Sequence, residues 1–242
     1  MNEIRAEEIE LRDDDSRAVD AALGEPRLSL HVAALPYPAD ALEPHLSAQS
    51  VVTHFEGHHC SNLLRLKSAL VAEGRAPDGL EDLVRSSTGS LFRCAAQVWN
   101  HAMCWSSMAP TGGGAPRSLA MRRLVDESFG SYAGFRDRFQ DLAANLVGSG
   151  YLWLHRLPGE SRIALTAAPN VANPLSQGGI PILGFDLWEH AYYLDYRNDV
   201  DQYVEVFLDE LLDWSFAEQR LRGGLSQPPP AWSAAAPSAA SD

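Results

Sequence analysis

Cysteine is scarce in this chain: three in 242 residues, Cys60, Cys94 and Cys104, with no CxxC pair and one thiol left over from any pairing. That count excludes a disulfide-stapled scaffold and a thiolate-rich zinc module, and it fits a reducing, cytoplasmic setting. Long apolar runs are missing too. Mean hydropathy is −0.19, and no run approaches the ~20 residues that span a bilayer, so no membrane partner is expected. Basic stripes are also absent: 19 Lys and Arg face 32 Asp and Glu, the net charge is −13, and no Lys/Arg-rich stretch stands out. Nucleic acid is therefore not an expected partner. The start, MNEIRAEEIELRDDDSR, has carboxylates where a secretory leader needs a basic and then an apolar stretch, so export by that route is not expected. No internal repeat is visible.

What is present is ample apolar material, 45% of the chain, enough for a proper core. Four segments follow from composition and periodicity. Residues 1–34 hold nine Asp/Glu against four Arg and read as a solvated acidic extension. Residues 35–114 carry two long helical patterns. One runs from Ser47 to about Glu73, with Val51, Phe55, Leu63, Leu66 and Leu70 on its apolar face, and is broken by Pro77 and Gly79. The other runs from about Leu91 to Met108 and stops at Pro110 and the Gly112-Gly113-Gly114 run. Two helices so close in sequence imply an antiparallel hairpin. Residues 115–222 mix types: helices over about 118–128 and 132–146, strand patterns at 151–157, 162–168 and 180–186, and a closing helix from about Val200 to Leu221. The tail from Gly223, rich in Pro, Ala and Ser, should lack stable structure, with Trp232 unanchored in it. The fold class expected is α+β: a helical hairpin domain, then an α/β domain with a small three-stranded antiparallel sheet.

Chemistry concentrates in three short stretches. His54 and His58, four residues apart, share one face of the first long helix. His101 lies mid-way along the second helix among small and apolar residues, in AAQVWNHAMCW. Asp186 ends the third strand pattern and His190 follows four residues later, in FDLWEHAYY. Three imidazoles and a carboxylate form a ligand set that suits iron or manganese better than structural zinc. Spacing alone leaves the other reading open, that these are separate core and surface histidines.

The motifs carry a resemblance. LPYPADALEPHLSAQSVVTHFEGHHCSNL resembles the start of the iron/manganese superoxide dismutases, AAQVWNH their second-ligand segment, and FDLWEHAYYLDYRND their DxWEHAYY signature, in one consistent order over about residues 35–221. The resemblance implies that His54, His101, Asp186 and His190 bind one iron (alternatively manganese) per subunit, with solvent as a further ligand. It places Gln97 where iron-type members hydrogen-bond that solvent. Manganese-type members supply this glutamine from the segment that here reads PNVAN, which has none. Trp188 would shield the metal. Glu189 and His190 would contact a second subunit, and Tyr193 would approach His58 of the partner subunit, making a homodimer. The implied reaction is dismutation of the small anion superoxide to dioxygen and hydrogen peroxide.

The chain also departs from that pattern. Asn62 stands where the family has its gateway tyrosine, and Gly57 where a lysine precedes the His-His pair. Cys104 and Tyr151 replace an aromatic and a tryptophan of the pocket wall, and Asp199-Val200-Asp201 follows where Arg and Pro are usual. These changes raise an alternative: an iron oxidase or oxygenase on the same fold, acting on an organic substrate in specialised metabolite biosynthesis. A non-catalytic structural relative is a third reading, and one with no reason to keep four ligands together with Gln97.

Overall fold

In the computed structural model, residues 34–75 and 79–223 are described. The acidic extension and the Pro/Ala/Ser tail, but for one edge residue each, lie outside the described residues. A helical hairpin comes first and an α/β domain with a three-stranded antiparallel sheet follows, the architecture expected from the sequence. No helix of the described residues is long and apolar enough to cross a membrane.

The first long helix is one continuous rod with an irregular middle. Helix α1, Ala48–Val52, is capped by Ser47, whose hydroxyl accepts from the Ser50 N–H at 3.2 Å. It passes into a π-helical segment, Thr53–Cys60, and then into α2, Ser61–Glu73, which ends at Gly74 in the left-handed conformation (φ 59°). The wider turn falls on THFEGHHC, the stretch that carries three histidines; such insertions gather at functional sites. A single regular helix was the expectation, and side-chain periodicity does not register one extra backbone residue per turn.

A further element separates the two long helices, where the sequence suggested a plain connection. Helix α3, Leu80–Ser86, buries Leu80, Leu83 and Val84 and has Glu81 and Asp82 in its first turn, the favourable end for carboxylates. At seven residues it is too short to show in a periodicity window. Helix α4, Gly89–Ser106, is buried without interruption from Ala95 to Ser106, which makes it the central helix of the molecule.

Helices α5 (Leu119–Phe129) and α6 (Tyr132–Ala144) lead into the sheet. Strand β1, Gly150–Arg156, is its centre, flanked by β2, Ala164–Pro169, and β3, Ile180–Asp186, in the order β2-β1-β3. The register sets Tyr151 opposite Asp186 and Trp153 opposite Gly184. Beyond β3 come α7, Glu189–Tyr196, and α8, Val200–Val206.

The closing helix is broken, contrary to expectation. After α8 the chain runs through a π-helical stretch, Phe207–Leu211, leaves helical geometry at Leu212, and resumes as α9, Trp214–Gly223. The glycine run explains the break. Gly114 N–H donates to Leu208 O at 2.8 Å, Ala109 to Leu211 O at 2.8 Å and Gly113 to Leu212 O at 2.9 Å, so the carbonyls a continuing helix would use are taken by another chain segment. Only glycine allows that approach. A Cβ on Gly113, at φ 78°, would lie 2.0 Å from Asp209 O.

Gly113→Ala is accordingly expected to cost about 3 kcal/mol, a fall in Tm of roughly 6–12 °C. Gly57→Ala, where a Cβ meets nothing within 4 Å, should hold stability or raise it by no more than about 1 kcal/mol, with Tm unchanged or higher. Calorimetric melts of the two variants check both.

Candidate metal centre

Four elements meet at one buried point. His54 comes from the π segment, His101 from the middle of α4, Asp186 from the last residue of β3 and His190 from the first turn of α7. One ligand-type atom from each lies within 4.8 Å of all the others. Asp186 Oδ2 is 3.3 Å from His54 Nε2 and 3.6 Å from both His101 Nε2 and His190 Nε2. The two imidazole nitrogens of His101 and His190 stand 3.3 Å apart. The predicted quartet is therefore one cluster.

The cluster fits a metal on three counts. Ligands held about 2.0–2.2 Å from a first-row ion, at angles of about 90–120°, are roughly 2.8–3.8 Å from one another. Four of the six separations, at 3.3–3.6 Å, fall in that band. His54 Nε2 and Asp186 Oδ2 are buried and make no hydrogen bond within the described residues, although both aim at the shared centre. Buried polar atoms without partners are rare unless something else satisfies them. The charge state is also right. Burial pushes the His54 and His101 imidazoles below the ordinary histidine range, so both keep a free lone pair. Burial alone would push the Asp186 carboxyl up; the facing His190 and His54 rings hold it below the usual carboxylate range only while they carry charge, a role that a cation at the shared centre takes over once the rings serve as ligands. His101 Nδ1 is buried and unpartnered as well, and nothing in the structure explains it.

Around the quartet, the His-His pair divides its work. His59 turns inward, where its Nδ1 accepts from Trp105 Nε1 at 3.1 Å, and burial pushes it down to about 3. His58 stays half-buried at the rim, stacked on the His190 ring at 3.9 Å and 17°. Trp188 flanks His190 as well, at 5.7 Å. Its backbone N–H donates to Asp186 Oδ1 at 2.8 Å and its indole to Asn170 O at 3.2 Å. Next to His101, Asn100 donates to Val171 O at 3.1 Å and accepts from Asn173 at 2.9 Å, which ties the PNVAN segment to α4.

Gln97 is buried one turn before His101 on α4. Its Oε1 accepts from the Tyr151 phenol at 3.4 Å, which leaves the amide N–H groups for another acceptor. Tyr151 read from sequence only as a change in the pocket wall; the structure makes it the partner of Gln97. The clue lay in the pairing of strands, since residues opposite each other share a face, and Tyr151 is opposite Asp186. Asn62, one turn beyond His58, is part-exposed and accepts from Arg65 at 3.5 Å. Tyr193 and Glu189 are exposed on α7. His155 lies elsewhere, inside the sheet, with neither ring nitrogen partnered among the described residues.

Tyr151→Phe keeps the ring and removes the donor. It should cost about 1 kcal/mol of stability and, with iron content unchanged, shift the low-temperature EPR spectrum of the iron-loaded protein, because the Gln97 amide loses its fixed orientation. An unaltered spectrum would count against the assigned contact.

Comparisons with known proteins agree with this geometry. The sequence model described as "iron/manganese superoxide dismutases, alpha-hairpin domain" matches residues 29–109, and that of the C-terminal domain matches residues 117–220. The iron superoxide dismutase of Escherichia coli (strain K12) is 38% identical over 194 residues, 80% of this chain and 99% of that protein. The iron superoxide dismutase of Legionella pneumophila (strain Philadelphia 1) is 38% identical over 189 residues, 78% and 96%. That of Pseudoalteromonas translucida (strain TAC 125) is 40% identical over 184 residues, 76% and 94%. With both domains matched and the four ligand-type atoms gathered at one buried point, this chain belongs to the iron/manganese superoxide dismutase family.

Proposed function

We propose that this protein is an iron-dependent superoxide dismutase that converts superoxide to dioxygen and hydrogen peroxide. The observation that carries the reading is the convergence of His54, His101, Asp186 and His190 within 4.8 Å, in a chain whose curated relatives are iron superoxide dismutases. An iron ion held by these four residues supplies one-electron exchange, so that one superoxide leaves as dioxygen and the next, with two protons, as peroxide. Three neutral imidazoles and one carboxylate offset a single unit of the ion's charge, which leaves the centre attractive to a small anion.

The other residues bind, orient and exclude water. Gln97, its oxygen taken by Tyr151, directs N–H donors toward solvent at the centre and so tunes that solvent's acidity. Trp188 and His58 pack against His190 and narrow the approach. Asn62 lines the way in as a hydrogen-bonding amide; it has no phenolic proton to give. Iron is favoured over manganese because the glutamine comes from α4 and the PNVAN segment has none.

The working unit is a homodimer. Tyr193 (47% exposed) and Leu194 (40%) stand on α7 close after His190, an apolar face that suits a second copy, with Tyr193 reaching toward His58 of the partner subunit. Its setting is the cytoplasm, where Cys60, Cys94 and Cys104 stay as the free thiols they are here. The domain limits proposed are 35–114 and 115–222.

Stopped-flow decay of superoxide tests the reading. Iron-loaded protein should turn over with a second-order constant near ~10⁸–10⁹ M⁻¹s⁻¹. A constant several orders of magnitude lower, with iron bound, would contradict it and point to an organic substrate.

A further inference from the structure

The ligand His54 belongs to a row of side chains that leads outward. His58 is four residues on; Asn62 follows at four more and Arg65 at three more, so the four fall along one stripe of the rod formed by the π segment and α2. Contacts fix both ends of the row. His58 stacks on the ligand His190 at 3.9 Å, and the Asn62 amide oxygen accepts from Arg65 Nη1 at 3.5 Å. Seven residues of helix between His58 and Arg65 span roughly 10 Å along the axis, and Asn62 stands between the two on the same stripe. Arg65 is exposed.

The overall charge of the chain does not favour an anion. The chain carries −13, and Glu56 and Glu189 are exposed beside the same rim. Gly57, on the turn before His58, is exposed and contributes no side chain there. A guanidinium is charged at every working pH and is weakly hydrated, which suits it to transient capture of a small oxyanion or pseudohalide.

We propose that Arg65, held in place by Asn62, is the anion-capturing residue of the entrance and draws the substrate along the Asn62–His58 row toward the centre. The inference rests on the superoxide reading for the identity of the natural anion, but not for the capture itself. Arg65 touches none of the four ligand residues and acts through its field.

The test pairs an inert anion with the natural one. Azide affinity of the iron-loaded full-length protein, followed by its optical absorption change, is measured for wild type, Arg65→Lys, Arg65→Gln and Arg65→Glu at about 10 mM and about 1 M ionic strength. The superoxide decay constant is measured on the same samples. At low ionic strength the azide Kd should rise about two- to fivefold in Arg65→Gln and roughly by the square of that in Arg65→Glu. Arg65→Lys should stay within about twofold of wild type, and all differences should collapse at high ionic strength, where the Debye length is about 3 Å. Azide constants that coincide across the four proteins at low ionic strength would overturn the proposal, whatever the superoxide rates. Arg65-dependent azide binding with no superoxide turnover would instead sink the dismutase reading and leave the capture standing.

Discussion

The centre depends on a carboxylate that the protein cannot satisfy alone. Asp186 is fully buried, and within the described residues its ion-pair neighbours are three histidines rather than a lysine or arginine. Two of those rings, His54 and His101, are kept neutral by their own burial. An ionised carboxylate without a counter-charge costs several kcal/mol in such surroundings. A cation at the shared point removes that cost and satisfies the open lone pairs together. Metal binding and folding stability are therefore coupled here, because no unfolded chain brings these four groups together.

The rest of the fold can be understood as what holds that point in place. α4 is buried on every side from Ala95 to Ser106, so His101 and Gln97 are fixed by packing in all directions. β1, at the middle of the sheet, brings Tyr151 beside Asp186 by strand register alone. The two halves of the chain are latched where the first helix starts. Asp195 of α7 accepts from both the backbone N–H and the hydroxyl of Ser47, at 2.9 and 2.7 Å, and the Tyr196 hydroxyl donates to His45 O. The helix that presents His54 and the helix that presents His190 are thus tied together directly, and errors in their relative placement cannot accumulate through the intervening chain.

Much of this was legible in the amino-acid sequence, and the exceptions have physical reasons. The four ligands could be named because each lies in a short motif whose spacing survives in one dimension. The three strands and both long helices were visible for the same reason: their side-chain periods are strong. The π segment was not visible, since it changes the backbone ladder without changing which residue types are apolar. α3 is shorter than any useful window. The break before Leu212 depends on Gly112–Gly114, about a hundred residues earlier, reaching across to cap its carbonyls. Tyr151 and Gln97 likewise meet only through strand pairing and helix packing. Arg65 belongs to none of the sequence motifs, and only its contact with Asn62 places it at the end of the row from His54.

Metal analysis joined to X-ray absorption at the iron edge addresses the central claim most directly. Protein produced with iron is predicted to hold about one iron per chain, in a shell of nitrogen and oxygen with the multiple-scattering signature of imidazole. That signature should weaken in His101→Ala, and iron content should fall steeply in Asp186→Ala. A wild-type chain that purifies without metal under those conditions, or an iron environment indifferent to both substitutions, would show that these four side chains do not share one ion.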